Sequence, residues 1–100
     1  MIRHSAIFKL KYAAGSAAEK AFLEAAAKLK NIPGVERFEV LKQISAKNKF
    51  DFGLSMEFAD QKQYDGYNTH PGHQAFLRDF WKKGVEDFLE IDYQLLNQYN

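Results

Sequence analysis

A strand, a helix, two more strands, a pair of helices and a closing strand, in that order, predict an α+β fold. The expected architecture is a ferredoxin-like sandwich: one antiparallel four-stranded sheet with its helices on one face. Three observations carry this expectation. Apolar and polar residues alternate with a period of two in four separate stretches. Helix-capping signatures stand between those stretches, and Pro or Gly closes the helical ones. A chain of 100 residues with 46% hydrophobic and 15% aromatic content has room for one domain, spanning residues 1–100, and for one modest core.

The first strand covers residues 2–12, with Ile2, His4, Ala6, Phe8 and Leu10 on one face and Arg3, Ser5, Lys9 and Lys11 on the other. Gly15 breaks it. Ser16-Ala17-Ala18-Glu19 has the form of a capping box, and Phe22, Ala26 and Leu29 follow at helical spacing to face the sheet. Pro33 disfavours helix at Ile32, and Gly34 permits the turn into a second strand over residues 35–44. In the third strand, residues 50–58, Phe50, Phe52, Leu54, Met56 and Phe58 point one way and Asp51, Gly53, Ser55 and Glu57 the other. A short helix opens at Asp60 with Gln63 completing its cap, carries Tyr64 and Tyr67 one turn apart, and ends before His70. Pro71 suits the first position of a new helix, making His70 its N-cap and placing Phe76, Leu77, Phe80 and Trp81 on one apolar face. Gly84 ends that helix. The last strand, residues 85–95, is expected to bury Val85, Leu89, Ile91 and Tyr93, and residues 96–100 form a tail. The helix-free face of the sheet then carries Ile7 and Phe88 among Arg3, Lys9, Asp51 and Glu57. The acidic residues Glu86, Asp87, Glu90 and Asp92 read as a solvated strand face.

Composition excludes several functions. Fourteen Lys plus Arg against thirteen Asp plus Glu leave a formal charge of +1, too little to attract nucleic acid or an anionic membrane. The chain has no Cys, which rules out disulfides and thiolate chemistry and fits a reducing compartment. No signal-peptide core and no apolar run of about 18 residues is present, so no membrane association is expected and a cytoplasmic protein is the default. Glycine-rich phosphate loops and Ser-centred nucleophile elbows are missing as well. His70 and His73 are a close pair without a completing carboxylate, so no metal is expected.

Chemistry concentrates in Tyr67-Asn68-Thr69-His70-Pro71-Gly72-His73, which gathers two imidazoles and a phenol at a helix start. His73, near the third helical position, shares a face with Phe76 and should point between helix and sheet. It is either a core histidine with satisfied nitrogens or a neutral base held so by the positive helix end. Tyr67 is either packing or a phenol that donates to a carbonyl oxygen gaining charge. His4, the one ionisable residue on the apolar face of the first strand, needs partners or a cavity. His70 is read as a turn-shaping cap.

His4, the Tyr-x-x-His-Pro-x-His run and the closing Glu90-Ile91-Asp92-Tyr93 resemble, over nearly the whole chain, the stress-responsive A/B barrel (Dabb) domain family. That family includes a plant polyketide cyclase beside members with no assigned activity. The resemblance implies a homodimer forming a dimeric α+β barrel, with the catalytic pair at Tyr67 and His73 and a pocket histidine at His4. The cyclase's further pocket histidine falls at Phe52, which would make the site drier here. A pocket lined by His4, Phe52, Tyr67, His73, Phe76 and Trp81 is therefore expected to bind a small molecule. The C-terminal residues Leu95, Leu96 and Tyr99 would cover a partner subunit. The functional expectation is cofactor-independent acid/base chemistry next to a carbonyl, with aldol-type ring closure as its sharpest form. Alternatives are a non-catalytic stress-responsive dimer and a cofactor-free monooxygenase or isomerase.

Overall fold

The computed structural model describes residues 1–96. Four strands form one sheet: β1 (Ile2–Leu10), β2 (Glu36–Lys42), β3 (Phe52–Phe58) and β4 (Val85–Tyr93). Their order is β2-β3-β1-β4, and each adjacent pair is antiparallel. The helix α1 (Ala17–Ala27) connects β1 to β2, and α2 (Gln61–Thr69) with α3 (Pro71–Phe76) connects β3 to β4. Each crossover skips one strand, which leaves β1 central and brings both connections onto one face. This is the ferredoxin-like sandwich expected from the element order. Among the described residues no helix is long and apolar enough to cross a membrane.

Local chemistry sets the helix ends. The Ser16 hydroxyl accepts from the Glu19 N–H at 3.2 Å while the Glu19 carboxylate accepts from the Gly15 N–H at 3.1 Å, a reciprocal cap on α1. Asp60 caps α2 through the Gln63 N–H at 2.9 Å. His70 Nδ1 caps α3 through the Gly72 N–H at 2.9 Å, the structural role read from its place before Pro71. After α1, a 3-10 turn over Lys28–Asn31 runs into Gly34, whose φ of +91° favours glycine. A side chain at 34 would also lie 2.6 Å from the Gln63 Oε1.

The core lies between sheet and helices. Phe8, Phe22, Met56, Phe58 and Tyr67 are essentially inaccessible to solvent, and the Phe8, Phe22 and Trp81 rings meet with centroids 5.2–6.3 Å apart. Trp81 reaches this cluster because α3 runs on into a π-helical turn over Leu77–Trp81, closed by the Lys82 N–H donating to the Leu77 carbonyl, and then into a last turn, α4 (Lys82–Gly84). The added residue per turn aligns Phe76 with Trp81. It also rotates Phe80 outward to 37% exposure, which corrects the expectation of one face for Phe76, Leu77, Phe80 and Trp81.

The strand ends are shorter than the alternation alone implies. β2 stops at Lys42, leaving Ile44 exposed, and β4 stops at Tyr93. The larger correction concerns the faces of β4. Leu10 pairs with Val85 but Lys9 pairs with Asp87, so one residue of β4 bulges between them. A one-residue bulge inverts every later side chain. Phe88, Glu90 and Asp92 therefore face the helices, opposite Phe8, Ala6 and His4, while Leu89, Ile91 and Tyr93 share the open face with Ile7, Ser5 and Arg3. Leu89 and Tyr93, expected in the core, are about half exposed. Leu95 and Leu96 are exposed, and Tyr99 lies outside the described residues.

Candidate functional site

The central strand β1 delivers one polar side chain to the helix face. His4, only 5% exposed, is the one buried polar or charged residue among the described residues. From the helix side, α2 contributes Tyr67 and α3 contributes His73. The break between these helices, forced by His70 and Pro71, turns the chain so that the Tyr67 and His73 rings meet at a tilt of 34° with centroids 4.3 Å apart. Tyr67 also packs on Phe58 and His4, at 5.2 and 6.3 Å. His4, Tyr67 and His73 open on one cavity of about 390 Å³, whose walls include Leu54, Met56, Phe76 and Trp81. That volume falls within the range of small-molecule pockets.

Of the six residues expected to line the pocket, His4, Tyr67, His73, Phe76 and Trp81 do so together. Phe52 does not. It stands two positions further along β3 than Leu54, beside Phe8 at a ring distance of 6.0 Å, and faces a separate polar depression with Lys9, Tyr12 and Asp51. Leu54 and Met56, opposite Ala6 and His4 in the register, take the wall assigned to Phe52.

The protonation states follow from surroundings. His73 Nδ1 lies 3.3 Å from the Asn68 carbonyl. A carbonyl only accepts, so the proton sits on Nδ1 and Nε2 keeps its lone pair. Loss of solvation lowers the pKa of His73 below its ordinary 6.5, against the opposing pull of that carbonyl, so the ring is neutral near pH 7. Tyr67 is 2% exposed, and desolvation pushes its phenol above the ordinary range, followed by its proximity to Tyr64 and Glu90. It stays a hydrogen-bond donor. Among the described residues no buried polar side-chain atom lacks a partner. The Tyr67 hydroxyl makes no hydrogen bond among the described residues, so it opens on the cavity that Tyr67 lines.

Sequence reading missed a second layer. His4 Nδ1 stands 2.6 Å from Asp92 Oδ1 and 3.0 Å from the Tyr64 hydroxyl, which itself donates to Asp92 Oδ2 at 2.9 Å. Asp92 and Glu90 had been read as part of a solvated acidic face; the bulge in β4 brings both to the helix side, and Glu90 lines the cavity. The available signal was the lone imidazole on an apolar strand face, which calls for an acidic partner on a neighbouring strand. No group of three or more His, Cys, Asp or Glu suited to a metal occurs among the described residues.

Sheet, crossovers and cavity thus define a ferredoxin-like α+β domain with a cavity between its two layers. The chain belongs to the Stress Responsive A/B Barrel Domain family, Dabb, whose model matches residues 2–95. It is similar to a Dabb family protein with a ferredoxin-like fold from Mesorhizobium loti, at 55% identity and TM-score 0.92, over 95% of this chain and 96% of that one. A dimeric ferredoxin-like protein of unknown function from Thermobifida fusca superposes with TM-score 0.78 at 22% identity, over 94% and 90% of the two chains. A hydroxynitrile lyase from Passiflora edulis superposes with TM-score 0.82 at 14% identity, over 95% and 93%. At such identities the last two show the fold. No curated protein matches the sequence.

Proposed function

We propose that this Dabb domain binds a small carbonyl compound and carries out cofactor-independent acid/base chemistry on it. His73 Nε2 takes a proton from the carbon next to the carbonyl, and the Tyr67 hydroxyl donates to the enolate oxygen that forms. Ring closure by an aldol reaction, the lyase-type chemistry of a polyketide cyclase, is the sharpest version. One observation carries the reading: a phenol kept protonated and an imidazole kept neutral stand with rings 4.3 Å apart at one cavity. Their separated roles are what proton abstraction beside a carbonyl requires. The test is turnover of β-polyketo thioesters and simpler ketones by wild type and His73→Ala, with melting temperatures measured alongside. Loss of a positioned base is expected to cost about a hundred- to ten-thousandfold. Equal turnover in two folded proteins would leave a non-catalytic binding domain.

The working unit in this proposal is a homodimer. Leu41, Gly53, Ile7 and Leu89 form a row straight across the open face of all four strands. Leu41 and Leu89 are each nearly half exposed. Glycine in that row lets neighbours close up, since a side chain at 53 would come within 3.2 Å of Ile7 Cγ2. Beyond a row of Ser5 and Ser55 the same face becomes charged, with Arg3 and Arg37 both held by Glu57 at 3.1 and 3.3 Å. An apolar strip bordered by charges suits a self-complementary contact between two sheets. Dimers among proteins of this fold support the same assembly.

A further inference from the structure

We propose that the cavity takes its ligand through a mouth between the last helical turn and the edge strand β4, and that Glu90 at this mouth selects ligands carrying a protonated amine. This rests on the reading of the cavity as the site of a carbonyl ligand, and adds the route of entry and the charge on the part of the ligand nearest solvent.

The exposures of the lining residues locate the mouth. Ala6, Leu54, Met56, Tyr67 and Phe76 form a buried floor and back wall. The exposed lining residues are Lys82, in the last helical turn, with Phe88 and Glu90 on β4. β4 is an edge strand in the order β2-β3-β1-β4, so among the described residues no further strand stands outside it. Trp81 meets Phe88 edge-on with ring centroids 5.5 Å apart and bounds the mouth on that side. Glu90, two residues further along β4, is left at the open side.

The backbone fixes Glu90 at this position. It pairs with Ala6 in the register, and the bulge that follows Val85 turns it to the helix side. Its short side chain stands on a strand held by the sheet ladder. Lys82 sits near a helix C-terminus, where a cation is favoured, and its long stem lets the ammonium stay in water. Among the described residues neither Glu90 nor Lys82 has an ion-pair partner. The charge of Glu90 is also felt inside the cavity. Desolvation is the chief cause of the raised Tyr67 phenol and of the lowered His73 imidazole, and at both the Glu90 carboxylate contributes through space. A negative charge at the mouth of a cavity with low-dielectric walls draws cations in and repels anions. An ammonium N–H donates to a carboxylate in a charge-assisted bond. The ligand of this site then combines an apolar body, a carbonyl at the Tyr67 and His73 end, and a protonated amine at Glu90.

Binding tests this without turnover. Trp81 is the single tryptophan of the chain and lines the cavity, so its fluorescence reads occupancy, with calorimetry as a second measure. The probes share one apolar body: neutral 4-phenylbutan-2-one, its cationic para-aminomethyl derivative, its anionic para-carboxylate, and 4-butylbenzylamine, which keeps the amine without the carbonyl. The amino ketone should bind about fivefold tighter than the neutral ketone, the upper end for a partly exposed ion pair, and the carboxylate more weakly than either. Salt at about 1 M should bring the three together. Glu90→Gln, close in shape, should reduce the ratio of amino to neutral ketone to about one. Glu90→Lys should invert the order in favour of the carboxylate, and circular dichroism checks that both variants of this exposed residue keep the fold. Equal affinities in the wild type, or an amine preference that survives Glu90→Gln, would overturn the proposal and leave the carbonyl reading in place. An amine preference lost in Glu90→Gln, with 4-butylbenzylamine binding as well as the amino ketone, would support the proposal and count against the carbonyl contacts of Tyr67 and His73. Absence of binding by all four probes would overturn both.

Discussion

Replacing Tyr67 by Phe separates catalysis from packing, because this residue is at once among the most buried side chains and one whose polar atom has no partner among the described residues. The ring is 2% exposed and packs against His73, Phe58 and His4. Phe keeps all of those contacts. A net hydrogen bond contributes about 0.5–1.5 kcal/mol when made, and none among the described residues is broken here. What is removed is a hydroxyl whose partial desolvation opposes folding, a cost of order 1–3 kcal/mol for a fully orphaned group and less beside a cavity. The expected change is between zero and about 1 kcal/mol of added stability, or up to roughly 4–8 °C in Tm for a domain of this size. Turnover should fall by about a hundred- to a thousandfold, as when an oxyanion donor is lost. Urea titration and steady-state kinetics on the same preparation read both quantities. A loss of more than about 1 kcal/mol would mean the hydroxyl is bonded in the folded protein and acts structurally. Unchanged turnover would remove it from the reaction.

Protonation of His73 sets a pH dependence of known sign. Desolvation lowers its folded pKa below 6.5, so the unfolded chain takes up the proton first and stability falls as pH drops from about 6.5 through the folded value. His73→Phe should flatten that part of the curve, seen as a smaller difference between urea midpoints at about pH 7 and about pH 5. Phe58→Ala, at a site with no solvent exposure, should cost about 3–5 kcal/mol in urea unfolding. Leu89→Arg places a charge in the apolar row of the open face, where Leu89 is 47% exposed in the single chain. Light scattering should then report the 11.6 kDa species in place of twice that mass, with the fold intact by circular dichroism.

The fold was readable in the sequence wherever a local signal was also the deciding one. Ser16, Asp60 and His70 each cap the helix they were expected to cap, because an N-cap depends on residues within one turn. The faces of β1 and β3 followed from strict alternation. Helical spacing put His73 on the face of Phe76, the break at His70 and Pro71 brought it to Tyr67, and alternation put His4 on the same side, so five of the six expected pocket residues meet. Phe52 fails for a reason that alternation cannot supply. It faces the correct side of β3, but the cavity ends at Leu54, and how far a pocket extends along a strand depends on where the opposite helices sit. Phe80 fails because a π-helical turn changes the angular step within a helix whose composition looks uniform.

The error on β4 has more consequence, since it hid part of the site. Period-two counting assigned Leu89, Ile91 and Tyr93 to the core and their acidic neighbours to solvent, as hydrophobicity alone suggests. In the fold, one bulged residue between Val85 and Asp87 reverses that order. The reversal has two effects at once. It moves Leu89 and Ile91 to the open face, completing the apolar strip with Ile7, and it turns Asp92 inward against His4. Without the bulge, the buried imidazole on the central strand would lose its carboxylate, at a cost of several kcal/mol for an unpartnered polar group. Two otherwise separate features, the apolar strip on the open face of the sheet and a carboxylate partner for the cavity histidine, thus come from the same irregularity. A variant that deletes Glu86 tests this coupling: light scattering should show weaker self-association and urea unfolding should show the several-kcal/mol loss of a buried His4 without its carboxylate, whereas a change in only one of the two would show that β4 satisfies them independently.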